Sequence, residues 1–107
     1  MESKKEITKN LLANSFKKLI LDIPFKNITI KMITDKSKVI RPTFYHHFKY
    51  KYEVLEYIVD EDIMKNIYEM VDSDMEYESL KIIFIRLEKN REFIKKAFKV
   101  EGQNSFK

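Results

Sequence analysis

A chain of 107 residues with one Gly, two Pro and no Cys has few turn residues for β-hairpins and no thiol for disulfides or thiolate metal sites. Its 44% hydrophobic and 36% charged residues are typical of a globular protein rather than a disordered one. No apolar stretch is long enough to cross a membrane, and the N-terminus lacks the apolar segment of a signal peptide. The composition therefore predicts an all-α protein in the cytoplasm, with no membrane partner.

Positive charge is concentrated in the first half of the chain. Residues 1–52 contain twelve Lys and Arg against four Asp and Glu, and residues 53–107 contain nine against thirteen, so the halves carry +8 and −4 and sum to +4. A basic half joined to an acidic half predicts that only the first half meets a polyanion.

The first predicted element is an amphipathic helix that ends before Pro24. Ser3 and Glu6 form a capping-box pattern at its start. Apolar residues then follow mostly at three- and four-residue steps, which is the helical period: Ile7, Leu12, Phe16, Leu19, Ile20 and Ile23. Residues 24–27 are predicted to form a short loop.

Two short helices are predicted next. Thr29 is a suitable N-cap for a helix over about 30–36, and residues 37–40 read as a tight turn. Pro42 fits only the first turn of a helix, so a third helix is expected from Arg41 to about His47. This is the outline of a helix-turn-helix over about 29–48, a motif whose second helix enters the DNA major groove.

The rest of the chain predicts three further helices. A long helix is expected over about 51–71, with one apolar side formed by Leu55, Ile58, Ile63, Ile67 and Val71. After a loop at 72–74, a fifth helix contains Leu80 to Leu87. Asn90, which tolerates a left-handed conformation, would separate it from a sixth helix that ends at Gly102.

The third helix has two chemically different faces. Phe44 and Phe48 are four residues apart and are expected to point inward. The polar residues beside them are expected to point outward, with donors for phosphates and base edges: Arg41, Thr43, Tyr45 and His46. Lys51 adds a charge near this surface, and the free amides at the starts of the second and fourth helices are further anion donors.

Residues 7–58 resemble the DNA-binding domain of the TetR/AcrR family of bacterial transcriptional regulators. The matching features are Ala13 and Phe16 in the first helix, the segment 29–33 (TIKMI) that opens the second, and the segment 43–51 (TFYHHFKYK). The stretch 99–106 (KVEGQNSF) is similar to a subgroup that includes regulators of dihydroxyacetone kinase operons.

The resemblance implies a division into a DNA-binding domain over 3–65 and part of a helical ligand and dimerisation domain over 66–107, because family members are nearly twice as long. It implies phosphate contacts from Thr29, Thr43, Tyr45, Lys49 and Lys51. It implies base contacts from Arg41, Pro42 and His46. A homodimer and an unknown small-molecule effector are expected of a full-length member, and this shorter chain is expected to dimerise poorly.

The turn departs from the family pattern at two positions. Lys38 stands where a glycine normally takes a left-handed conformation, at a cost of about 1 kcal/mol. Ile40 replaces the usual Ser or Asn cap of the third helix, which loses roughly another 1 kcal/mol.

Several residues in the chain have alternative interpretations. The adjacent residues His46 and His47 point about 100° apart on a helix and have no third His or any Cys, so no metal site is expected. Phe84, Phe93 and Phe98 are expected in the core, with an effector pocket as the alternative. The acidic cluster in residues 53–62 is expected to be a solvated helix face.

The chain is not expected to be an enzyme or to need a cofactor, because it has neither a glycine-rich phosphate loop nor a nucleophile and base. The alternative function is a helical protein-interaction module whose basic half docks an acidic partner.

Overall fold

The computed structural model describes the backbone of residues 3–105 and the side chains of residues 3–98, and the prediction of an all-α protein is confirmed. A single 3-10 turn, Phe25–Asn27, links the first two helices. In chain order the helices are α1 (Lys4–Asp22), α2 (Ile30–Ser37), α3 (Arg41–His47), α4 (Lys51–Val59), α5 (Ile67–Asp72), α6 (Glu76–Lys89) and α7 (Arg91–Ser105).

Helix α1 begins and ends as the sequence predicts. The Ser3 hydroxyl accepts the Glu6 N–H at 3.2 Å, and the Glu6 carboxylate accepts the Ser3 N–H at 3.3 Å, which is a reciprocal capping box. At the other end the Ile23 N–H donates to the Leu19 carbonyl, and Pro24 follows. Along α1, Leu12, Phe16 and Ile20 are buried, but Ile7 is exposed.

Helix α2 is capped at its start by a side chain and closed at its end by backbone. The Thr29 hydroxyl accepts the Met32 N–H at 3.1 Å, as expected of an N-cap. Lys38 is left-handed, with φ 61° and ψ 38°. This conformation allows the Val39 N–H to donate a hydrogen bond to the Thr34 carbonyl at 3.0 Å. That bond is the helix-closing bond of a Schellman-type end, so Lys38 adopts the conformation predicted for it.

Helix α3 starts without help from a capping side chain. Its N-cap is Ile40, which makes no side-chain capping hydrogen bond, and Pro42 lies in the first turn. At the other end the Phe48 N–H donates to the Phe44 carbonyl at 2.9 Å. The predicted span of α3 is therefore confirmed.

The single long helix predicted over 51–71 is wrong. Helix α4 ends at Val59, residues Asp60–Met64 form a π-helical turn, and Asn66 is left-handed with φ 69° before α5 begins. Ile58 and Ile63 are five residues apart and would point about 140° away from each other on a continuous α-helix. A π turn absorbs the extra residue, and both side chains are buried.

The interruption exposes backbone carbonyls that Arg86 satisfies. The Nη1 atom of this α6 residue donates to the Ile63 and Lys65 carbonyls, each at 2.7 Å. Because a helix end leaves carbonyls without partners, this side chain replaces the hydrogen bonds that a continuous helix would have made.

Helix α7 packs on the same core as α1. Phe93 and Ala97 are buried in one cluster with Leu12 and Phe16, and the rings of Phe16 and Phe93 meet edge to face at 6.3 Å. The proposed division into 3–65 and 66–107 stays a prediction, but α7 is joined to the first part by this packing.

Two details of the last helices differ from expectation. Asn90 does separate α6 from α7, but with φ −103° and not in a left-handed conformation. Helix α7 continues through Gly102 to Ser105, so Gly102 is not its stop, because glycine weakens a helix without ending it. Phe106, used in the subgroup resemblance, lies outside the described residues.

The core prediction is wrong for two phenylalanines and for one residue of the predicted apolar side. Phe84 is 70% exposed and Phe98 is 47% exposed, whereas Phe93 is buried. Val71, on α5, is also exposed. Among the helices in residues 3–105, none is long and apolar enough to span a membrane.

Candidate nucleic-acid interface

Helix α3 presents the two faces that its sequence predicts. Phe44 and Phe48 are buried, with 0% and 3% exposure, and their rings lie 5.6 Å apart. The residues predicted to reach bases are all exposed: Arg41, Pro42 and His46. The polar face of α3 is therefore available to a ligand, and its orientation is fixed by aromatic packing underneath.

The residues predicted to contact phosphates differ in their solvent exposure. Thr29, Tyr45 and Lys49 are exposed, while Thr43 and Lys51 are half-buried. The Tyr45 ring lies edge to face against Phe44 at 5.4 Å. This contact limits the positions that the exposed Tyr45 hydroxyl can take.

Lys51 has contacts inside the protein that the sequence did not indicate. Its Nζ donates to the Phe25 carbonyl at 2.7 Å and to the Ile28 carbonyl at 3.0 Å, and it lies 4.5 Å from the centre of the Phe25 ring. Burial lowers the pKa of this ammonium from its ordinary value, because a charge loses hydration there. Two of the three ammonium donors are thus directed into the protein, and one is left for an external anion.

These contacts bring Lys51 next to Thr29. The Ile28 carbonyl belongs to the peptide bond that precedes Thr29. The Lys51 side chain therefore connects the start of α4 to the start of α2 by a hydrogen bond. The Thr29 hydroxyl, which accepts an N–H, can still donate its own proton outward. Two predicted phosphate ligands that are 22 residues apart in sequence therefore share one small region of the surface.

A carboxylate of the protein itself already lies at the start of α4. The Glu53 carboxylate accepts the Lys49 N–H at 2.7 Å, which neutralises part of the positive end of the helix dipole. The free amides of α4 are thus weaker anion donors than expected.

His47 lies behind the exposed face in a positive environment. Burial lowers its pKa from the ordinary 6.5, and the charges of Lys9, Lys5 and His46 lower it further. Its Nδ1 atom is buried without a hydrogen-bond partner among the described residues. Of the two adjacent histidines, His46 is exposed, as predicted, and His47 is half-buried.

A cleft of about 480 Å³ adjoins this histidine pair. It is lined by Lys4, Lys5, Thr8, His46 and His47. The lysines come from the first turn of α1, more than 40 positions from the histidines. No spacing in the sequence signals their proximity, which depends on how α1 lies against α3.

The three phenylalanines suggested for an effector pocket are not equivalent. Phe93 packs against Phe16 in the core, and Phe84 is largely exposed on α6. Phe98 borders a cleft of about 380 Å³ whose other lining residues are Leu55, Glu56, Val59 and Asp60, so Phe84 and Phe93 do not line that cleft. Within residues 3–98, no group of three or more His, Asp or Glu could hold a metal ion.

Comparison with known proteins identifies a relative that matches most of this chain. It is 28% identical over 95 residues to the HTH-type dhaKLM operon transcriptional activator DhaS of Lactococcus lactis subsp. lactis (strain IL1403). The match covers 89% of this chain and 51% of the relative, so the chain spans about half the length of that protein. No protein-family model matches the sequence, and no solved structure matches it. The relative is a regulator rather than an enzyme, which supports the non-enzyme interpretation.

Proposed function

We propose that this chain is a sequence-specific, double-stranded DNA-binding transcriptional regulator of the TetR type. In this proposal α2, the turn and α3 form a helix-turn-helix, with α3 as the recognition helix. The observation that carries the proposal is the exposed polar face of α3, which holds Arg41, Tyr45 and His46 over the buried rings of Phe44 and Phe48. The similarity to a transcriptional activator and the +8 charge of residues 1–52 support it.

The proposed roles follow from the chemistry of each side chain. Arg41 can form a bidentate contact with guanine O6 and N7, and His46 can reach the same groove, since recognition helices read bases from one exposed face. Pro42 would contact bases through its apolar ring. The hydroxyl groups and ammonium groups would bind backbone phosphates and set the position of α3: Thr29, Thr43, Tyr45, Lys49 and Lys51.

The first experiment is a selection of bound sequences from random duplexes with the full chain. A recovered duplex is then titrated by fluorescence anisotropy at several salt concentrations. If each domain neutralises four to five phosphates, the log–log slope should be roughly −4. Failure to enrich any sequence, or a slope near zero for a recovered duplex, would refute the proposal and favour an acidic protein partner.

Two substitutions separate reading from positioning. Arg41→Ala should lose about 1–3 kcal/mol of preference at one base pair while binding to a scrambled duplex changes little. Tyr45→Phe should weaken binding to both duplexes alike, because the lost hydroxyl contacts a phosphate. The roles are wrong if Tyr45→Phe alters the preferred sequence and Arg41→Ala does not.

A further inference from the structure

The cleft between the first turn of α1 and the end of α3 has the chemistry of an anion site. Its lining combines two ammonium groups, a hydroxyl and two imidazoles, on Lys4, Lys5, Thr8, His46 and His47. Among the residues that the structure describes, no carboxylate lines this cleft. The nearby Glu6 carboxylate accepts the Ser3 N–H in the capping box at 3.3 Å.

Several positively charged groups lie close together in this cleft. Lys4 and Lys5 are exposed, so their ammonium groups can move toward a ligand without breaking a core contact. Desolvation lowers the His47 pKa, and the charges of Lys9, Lys5 and His46 lower it further, as expected where positive groups lie near one another. An anion in the cleft would relieve this repulsion.

We infer that the cleft binds a backbone phosphate of double-stranded DNA that flanks α3. The inference rests on the proposed function and adds to it residues from α1. A helix with its side chains is about 10–12 Å wide and the major groove is about 12 Å wide, so a helix in the groove has a phosphate strand on either side. Because the cleft joins the start of α1 to the end of α3, it would face one of those strands.

The test compares two double variants with the same loss of charge. In one variant Lys4 and Lys5 are both replaced by Gln. In the control Lys89 and Lys95, which are exposed on α6 and α7, are both replaced by Gln. The probe is the duplex recovered from the selection described above, and the readout is anisotropy across a salt series, with circular dichroism to verify that all proteins are folded.

The Lys4→Gln, Lys5→Gln variant should bind roughly threefold to thirtyfold more weakly than wild type, as expected for two solvent-exposed ion pairs. Its salt slope should fall in magnitude by about one, because one phosphate is no longer neutralised, with no change in the preferred sequence. The control should stay within about twofold of wild type, because long-range charge alone is screened at about 0.1 M salt. The Lys4→Arg, Lys5→Arg variant should bind like wild type.

A second arm locates the phosphate. Methylphosphonate substitution at successive flanking positions should reveal a position where neutralisation weakens wild type and leaves the Lys4→Gln, Lys5→Gln variant unchanged. If wild type binds the selected duplex but the two Gln variants bind it equally well, or if no such position exists, the inference is overturned while the proposed function stands. If wild type selects no duplex at all, the proposed function fails and the inference fails with it.

Discussion

Lys51→Met removes an ammonium that holds two backbone carbonyls at the turn before α2. Hydrogen bonds from a charged donor contribute about 1.5–3 kcal/mol each. Lys51 is only half-buried, so water can replace part of that contribution, and the methionine side chain keeps contact with the Phe25 ring. We therefore expect a loss of about 2 kcal/mol in the free energy of unfolding, which lowers the Tm by roughly 8–16 °C.

The measurement is urea denaturation followed by circular dichroism, with Lys49→Met as the matched control. Lys49 is exposed, and only its backbone N–H is in a hydrogen bond described for the structure. The control should therefore unfold within about 0.5 kcal/mol of wild type. Equal urea midpoints for the two variants would contradict the reasoning, since they would show that water serves the Phe25 and Ile28 carbonyls as well as Lys51 does.

The Lys51→Met variant, compared with wild type, also tests whether Lys51 binds DNA. At a temperature where both proteins are folded, a phosphate contact from the third ammonium donor would make Lys51→Met lower the salt slope by about 1. An unchanged slope with reduced stability would assign Lys51 an internal role alone. Measuring both stability and salt slope thus separates the structural role of Lys51 from its role in binding phosphate, whereas a binding constant alone would combine the two.

Three further outcomes are expected. Phe93→Ala should destabilise the fold by about 3–5 kcal/mol because it leaves a cavity beside Phe16, whereas Phe84→Ser on the exposed face should cost about 0.5 kcal/mol or less; urea midpoints compare them. Because the folded-state pKa of His47 is lowered, the unfolded chain binds more protons below about pH 6.5 and stability falls as the pH drops. His47→Gln should flatten this decline between about pH 7 and 5, which urea midpoints measured at each pH would show. Lys38→Gly should raise the free energy of unfolding by about 1 kcal/mol without changing DNA affinity.

The elements that the sequence predicts well are those with local causes. The start of α1 needs only Ser3 and Glu6, which are three residues apart, and the start of α2 needs only Thr29. The inward direction of Phe44 and Phe48 follows from their spacing of four. Each of these signals lies within one helical turn, so no knowledge of tertiary packing is required.

The features that the sequence does not predict depend on distant contacts. The break after α4 is supported by Arg86, about 20 residues away in the chain. The anchoring of Lys51 and the cleft between α1 and α3 likewise join segments that no periodicity relates. Phe84 and Phe93 show the same limit, because both fit a helical apolar pattern and only packing decides that one is buried and the other is not.

Within residues 3–105 the backbone is left-handed at three residues that are not glycine, and the energetic cost differs among them. Lys38, Asn66 and Asp74 have φ of 61°, 69° and 62°. Asn and Asp tolerate this region because their short side chains can bond locally, whereas lysine has no such compensation. At Lys38 the bond from the Val39 N–H to the Thr34 carbonyl, 3.0 Å long, keeps the turn closed in spite of the strain. Glycine should therefore stabilise the protein more at position 38 than at 66 or 74, and equal gains at all three would show that the side chain of Lys38 is not what strains the turn.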